Sequence, residues 1–400
     1  MARILVTSSR MPFALDEIRK FGREGHEVYA SDTYTRAPGS HSKYVHEAIV
    51  TPSPRFDSQG FIAALRDIVV DRRIEVLVPA FEEAFYIALA ASELTPRTEV
   101  FAPSFETLAL LHDKARFVAW AAELGLPVPP SRTVTSDAEL RDAIDAFPQF
   151  FARRVFSRGG VSLFTNTGPL AGAMRFEQCE PTPQSPWIVQ EFVHGEDLCS
   201  FSVVHHGHVA AHSTYIHPRM LDHAGGITFE SVEIPETLAA ARAIAEATGY
   251  HGQMSLDFMR TEKGFVLIEC NPRPTGGVYV MPDRMFVDAV LAPDMQRTHV
   301  APAGAHAKVG AALVRDMLLH IKEIPADIVA LATGGRDVYA DLDDFVPALY
   351  GLLSGSLVRA YRRDMHIDQA RRSDLAASMF YDVLWDGPVK APAFVADAAS

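Results

Sequence analysis

Cysteine is scarce in this chain: Cys179, Cys199 and Cys270 are its three, widely spaced, and they match neither a disulfide framework nor a zinc site, so buried thiols are expected. No run of about 18 apolar residues is present, which argues against a membrane span. Basic charge is in deficit, with 37 Lys and Arg against 50 Asp and Glu and a net charge of -13. That balance works against nucleic-acid binding, so any polyphosphate ligand must be held by locally placed cations. The first strand begins at Arg3 with no signal peptide ahead of it, so a cytoplasmic location is expected. Glycine is missing from the first turn, where Thr7, Ser8, Ser9 and Arg10 replace the residues that let a dinucleotide pyrophosphate approach. What remains is ordinary globular material: 22% charged and 48% hydrophobic residues over 400 positions leave room for two or three domains.

The chain opens as β-α-β, with strands at 4–7 and 27–30 around a helix at 15–21, followed by a helix near 61–70 and a strand at 74–78, which predicts a parallel sheet. Ser104 reads as an N-cap, a second helix runs from about 113 to Gly125, and 127–130 reads as a linker. An antiparallel α+β region then extends to about residue 300. Within it His206 and Gly207 form a two-residue turn, which makes His205 and His208 strand residues rather than a metal cluster. The last hundred residues read as mostly helical, with periodic segments at 311–322 and 341–353. Arg359, Arg362, Arg363, Arg371 and Arg372 there suit a solvated face.

Three stretches carry chemistry. Residues 265–277 read F-V-L-I-E-C-N-P-R-P-T-G-G, and strand alternation puts Glu269 and Asn271 on one face with Val266, Ile268 and Cys270 on the other, in a core. Upstream, residues 253–259 form a partner strand, joined through a three-residue loop of Glu262, Lys263 and Gly264. A turn centred on Lys263 places Asp257 directly opposite Glu269. Two carboxylates and an amide oxygen then converge on one sheet face, a donor set for a hard cation shared with nucleotide phosphates. A second stretch, A-R-R-V-F-S-R-G-G-V at 152–161, delivers Arg153 and then a turn at Gly159 and Gly160 whose backbone amides can nest an anion. The third, W-I-V-Q-E-F-V-H-G-E-D at 187–197, offers an extended backbone for an adenine edge and carboxylates for ribose hydroxyls.

In order and spacing, Lys114, Arg153, the strand and acids at 190–197, Asp257, Glu269, Asn271 and Arg273 resemble the ATP-grasp superfamily, nearest its carbamoyl-phosphate-synthetase-like and amino-acid-ligase branches. The resemblance covers residues 1 to about 300. It implies a mixed α/β and α+β fold: a Rossmann-like domain at 1–110, a two-lobed ATP-grasp fold with its small lobe at 111–186 and large lobe at 187–300, and a helical region at 301–400. It also implies roles. Lys114 and Arg153 would contact ATP phosphates under a mobile loop holding Gly159 and Gly160. Glu191 and Val193 would meet adenine and Asp197 the ribose. Glu269 and Asn271 would hold Mg2+, or Mn2+ in its place, with Asp257 a further ligand, and Arg273 would face the transferred phosphoryl group beside Gly276 and Gly277. Many members place Lys-Pro where this chain has Arg153 and Arg154, and the second change is unexplained.

The implied activity is an ADP-forming carboxylate–amine ligase acting through an acyl phosphate, with ATP and Mg2+, with small-molecule carboxylate and amine substrates, and with neither nucleic acid nor membrane as a partner. Activation of bicarbonate and a regulatory protein with a degenerate nucleotide site are the alternatives. His217, Arg219 and Glu230, around the turn at Gly225 and Gly226, are candidates for gripping an amino acid. The C-terminal hundred residues would shape that pocket or a homodimer interface.

Overall fold

The computed structural model describes residues 1–157, 162–221, 225–352, 380–385 and 387. The apolar tripeptides Ile4-Leu5-Val6 and Val76-Leu77-Val78 are buried throughout, as strands covered on both faces must be. They lie in β1 (Arg3–Val6) and β4 (Val76–Val78), at the centre of a parallel sheet completed by β2 (Glu27–Asp32), β3 (Val45–Val50) and β5 (Glu99–Val100) in the order β3-β2-β1-β4-β5. After β1, Arg10 is clamped by Asp32 and Asp382, with Nε 2.8 Å from Asp32 Oδ1 and Nη1 2.7 Å from Asp382 Oδ1. An acid at the end of β2 is the ribose ligand of a dinucleotide site; here a guanidinium occupies it.

The helix Pro12–Arg23 covers this sheet and also reaches beyond it. Asp16, Glu17, Arg19 and Lys20 are fully buried. Arg19 bonds Asp344 at 2.9 Å and the Val338 carbonyl at 2.6 Å; Lys20 bonds the Met281 carbonyl at 2.7 Å and Asp283 at 2.9 Å; Arg336 pairs with Asp16 at 2.5 Å. Buried charges tolerate desolvation only when paired, so the helix is tied to residues far along the chain. These ties also correct the expected helix at 341–353. Asp344 accepts bonds from Arg19, Ser42 and Lys43, which holds 341–344 as a turn, and helix begins only at residue 346. The five tail arginines lie outside the described residues.

Asp113 caps the helix Lys114–Glu123 by accepting from the amides of Ala115 and Arg116, both at 3.0 Å. Four antiparallel strands follow, β6 (Ser131–Val134), β7 (Phe150–Arg154), β8 (Leu163–Thr165) and β9 (Trp187–Glu191), ordered β6-β9-β7-β8 as the small lobe. The large lobe is built on β10 (Glu196–His205), β11 (His208–Ile216), the ribbon β12 (Met220–Leu221) with β13 (Gly225–Gly226), β14 (Thr228–Val232), β15 (Gly252–Thr261) and β16 (Gly264–Asn271). Its sheet runs β16-β15-β10-β11-β14 and continues past residue 300 through β18 (His306–Lys308) and β19 (Arg336–Asp337), while β17 (His299–Val300) lies beside β11. Among the described residues no helix is long and apolar enough to cross a membrane.

The β15–β16 hairpin decides where the acids point. Thr261 pairs with Gly264, so the turn has two residues, not the expected three, and Gly264 (φ +126°) belongs to the strand. Continued unchanged, this register would set Asp257 opposite Ile268 and turn Glu269 toward the core. A β-bulge prevents it: Phe258 pairs with Leu267, Asp257 pairs with Glu269, and Ile268 is the extra residue. Leu267 and Cys270 are therefore the core residues, 2% and 4% exposed, and Ile268 joins the cleft instead of the core.

His212 is buried among Ser202, Thr214 and Thr237, at 2.9, 3.2 and 3.0 Å, and burial, then the charge of Arg242, pushes its pKa down to about 3. Below the unfolded value of 6.5 the unfolded chain takes a proton that the folded chain refuses, so stability present above that value is lost as pH falls toward 3. In His212→Gln, the denaturation midpoint should fall less steeply between pH about 6.5 and about 4 than in the wild type. Parallel profiles would contradict this.

Candidate active site

Between the two lobes lies a cleft of about 770 Å³. β7 delivers Arg153 from the small lobe, the capped helix delivers Lys114, and the bulged hairpin delivers Asp257, Glu269 and Asn271 from the large lobe. Glu269 Oε2 lies 2.5 Å from Arg153 Nη1 and 3.6 Å from Lys114 Nζ; the lysine also donates to the Ser157 carbonyl at 2.8 Å. Burial alone would raise the Glu269 carboxyl, but Lys114 and Arg153 overrule it and hold the group well below the carboxylate range. Asp257 moves the other way: burial, then repulsion from Glu269, push it up to about 7. Like charges set face to face divide their titrations in this manner.

Two observations bear on a bound metal and phosphate. Asp257 and Glu269 oppose each other, and once Asp257 has lost its proton their oxygens form a donor set suited to a hard divalent cation. Arg153 keeps Nε and Nη2 buried and without a hydrogen-bond partner among the described residues, two donors available to an anion. Asn271 is placed differently from expectation. Its Nδ2 bridges Asp257 at 3.0 Å and Glu269 at 3.3 Å, while its Oδ1 accepts from Arg273 Nη2 at 3.2 Å. As oriented it is a hydrogen-bond bridge, and it would present oxygen to a cation only after an amide flip.

Glu191, Val193 and Asp197 line the same cleft, with Ile268 and Met259 supplying apolar surface. Arg273, also in the lining, lies 4.8 Å from the Phe81 ring centroid, and Gly276 is part of the wall. A hydrogen-bond chain holds this segment: Tyr215 Oη to Thr275 Oγ1 at 2.8 Å, Thr275 to Ser255 at 2.9 Å, and Ser255 to the Arg273 carbonyl at 2.9 Å. Gly277 does not line the cleft; a Cβ there would collide with Phe201, so its role is close packing. Gly159 and Gly160 lie outside the described residues.

Arg219 departs most from expectation. It does not line the cleft but bonds Asp327 at 2.8 Å, Glu323 at 2.9 Å and Asp316 at 3.2 Å, acids supplied by the helical region after residue 300. Glu230 is likewise absent from the cleft wall, whereas His217 is present. Cys199, Tyr215 and Phe229 also line it and were not anticipated from sequence. Strand alternation could have flagged the first two, since Cys199 pairs with Asp257 on one side and Tyr215 on the other. Arg219→Ala strands the buried Asp316 and Asp327, and should lower unfolding free energy by about 3 kcal/mol in chemical denaturation while leaving ATP binding unchanged. Unchanged stability with a weakened substrate affinity would return Arg219 to the substrate site.

Residues 111–277 match the family described as the ATP-grasp domain. A formate-dependent phosphoribosylglycinamide formyltransferase of Bordetella pertussis is 30% identical over 161 residues, covering 39% of this chain and 38% of that protein. The chain thus spans under two fifths of the length of that curated relative. N5-carboxyaminoimidazole synthetase from Staphylococcus aureus superposes with a TM-score of 0.60 at 12% identity, over 80% of this chain and 86% of that one. L-amino acid ligase from Bacillus licheniformis gives 0.55 at 14% identity, over 74% and 75%.

Proposed function

We infer, from a chain whose residues 111–277 match the ATP-grasp domain, that it is an ATP- and magnesium-dependent carboxylate–amine ligase. The observation that carries this reading is the meeting of Asp257 and Glu269 with Arg153 and Lys114 in a single cleft that Arg273 also lines. ATP-grasp enzymes use ATP with Mg2+, and the bound cation, or Mn2+ in its place, would neutralise phosphate charge between the two carboxylates.

The chain's own groups do the rest. Phosphoryl transfer needs positioning and charge neutralisation rather than a protein nucleophile. Arg153 and Lys114 would hold the phosphates, and Glu191, Val193 and Asp197 the nucleoside, with ATP spanning the cleft toward Arg273. The substrate carboxylate oxygen attacks the terminal phosphorus, ADP leaves, and an acyl phosphate results. The amine then attacks the carbonyl carbon, phosphate leaves with the former carboxylate oxygen, and the nitrogen loses a proton to give the amide. Arg273 would stabilise the charge that builds on the oxygens during both steps.

An amino acid is the substrate class favoured here. One guanidinium in the cleft suits one carboxylate, and Tyr215, His217 and Phe229, which pack together in the same lining, offer a mixed aromatic wall for a side chain. With ATP, Mg2+ and a panel of amino acids, ADP and phosphate should accumulate only when a paired carboxylate and amine are present. AMP and pyrophosphate as products would defeat the acyl-phosphate route, and ADP release that needs bicarbonate but no amino acid would assign the chain to a carboxylating reaction.

Arg273→Ala should raise the barrier by about 3 kcal/mol, roughly two orders of magnitude in a chemistry-limited rate. An unchanged single-turnover rate would remove Arg273 from the transition state.

A further inference from the structure

A second cluster lies where the amino-terminal sheet meets the large lobe. Glu99 comes from β5, His205 from the end of β10 and His251 from the residue before β15, three positions with no sequence proximity. Each offers one ligand atom, and the three atoms lie within 4.8 Å of one another. None of these residues lines the cleft between the lobes.

The rings are set as ligands are set. His205 bonds the Ala289 carbonyl through Nε2 at 2.7 Å, and because a carbonyl only accepts, Nε2 carries the hydrogen and Nδ1 keeps its lone pair. Metal-ligating histidines are oriented by this kind of second bond. Phe101 packs against both imidazoles, with centroids 5.0 Å from His205 and 4.9 Å from His251, and His206 stacks on His251 at 4.2 Å with an interplanar angle of 2°. His251 is 9% exposed; its Nε2 faces Glu99 Oε1 at 3.5 Å, and its Nδ1 is buried without a partner among the described residues.

We propose that Glu99, His205 and His251 form a metal site of the zinc class that fastens the amino-terminal sheet to the large lobe. Two imidazoles and one carboxylate are a zinc-type donor set rather than a magnesium one. Bonds of about 2.0–2.2 Å in tetrahedral geometry separate ligand atoms by about 3.4 Å, close to the His251–Glu99 distance already present. The Glu99 side chain is 48% exposed and free to complete the approach. A cavity of about 590 Å³, walled in part by Glu99, His206 and His251, provides an entry path and space for water as the fourth ligand.

The full chain, stripped with chelator, would be titrated with zinc chloride and the bound metal counted by equilibrium dialysis, with cobalt(II) absorption reporting coordination geometry. One zinc per chain is expected, together with a zinc-dependent rise in melting temperature. Both should be lost in His251→Gln and in Glu99→Gln, with affinity at least about a hundredfold weaker, while Mg·ATP binding is retained. Glu99→Gln alters an exposed side chain, so it keeps the test open should the histidine variant fail to fold. Zinc held loosely on the sixteen histidines of the chain would survive both substitutions, and that result, or no bound zinc at all, overturns the proposal.

Discussion

Two carboxylates face each other across neighbouring strands, and the cleft is organised around that repulsion. Asp257 and Glu269 share a register position in a partly buried site, where like charges are strongly unfavourable unless something offsets them. Arg153 answers for Glu269 from the opposite lobe and Lys114 from the helix packed on β16, and Asn271 bridges the pair by its amide nitrogen. The same arrangement that makes the site costly to leave empty of cations suits it to a metal and a polyphosphate. Because Arg153 comes from the small lobe and the acids from the large one, the ion pair at Glu269 spans the cleft.

That geometry depends on a single inserted residue. Without the bulge at Ile268 the tight two-residue turn would deliver Glu269 to the core and leave Asp257 facing an isoleucine. Bulges of this kind re-aim side chains near sites, and this one sets Leu267 and Cys270 into the core while Ile268 and Glu269 both reach the cleft. Elsewhere the paired charges along the helix Pro12–Arg23 do comparable work at longer range, joining the first sheet to residues 281–344.

Much of the site was legible as residue types in order. The acids at 257 and 269, the arginines at 153 and 273, and the strand at 187–191 could be read because each lies within or beside an apolar run, where alternation and turn chemistry are strong signals. Asp257 was placed opposite Glu269 through a wrong turn length that happened to match the register restored by the bulge. Arg219 shows the limit of such reading. Beside a glycine turn it resembled a substrate ligand, yet its partners Asp316, Glu323 and Asp327 lie about a hundred residues away, and no local pattern announces them.

By itself the sequence determined which strands are covered on both faces, where helices are capped, and that cations sufficient for a nucleotide stand in a fixed order along the chain. Those properties rest on local propensity and on one-dimensional patterning. The tertiary structure alone decided which charges are used together: Arg10 with Asp32 and Asp382, Arg219 with the helical region, Arg153 with Glu269, and Glu99 beside His205 and His251. A buried charge takes its partner from whatever the fold brings within a few ångströms, and in this chain those partners come from distant segments.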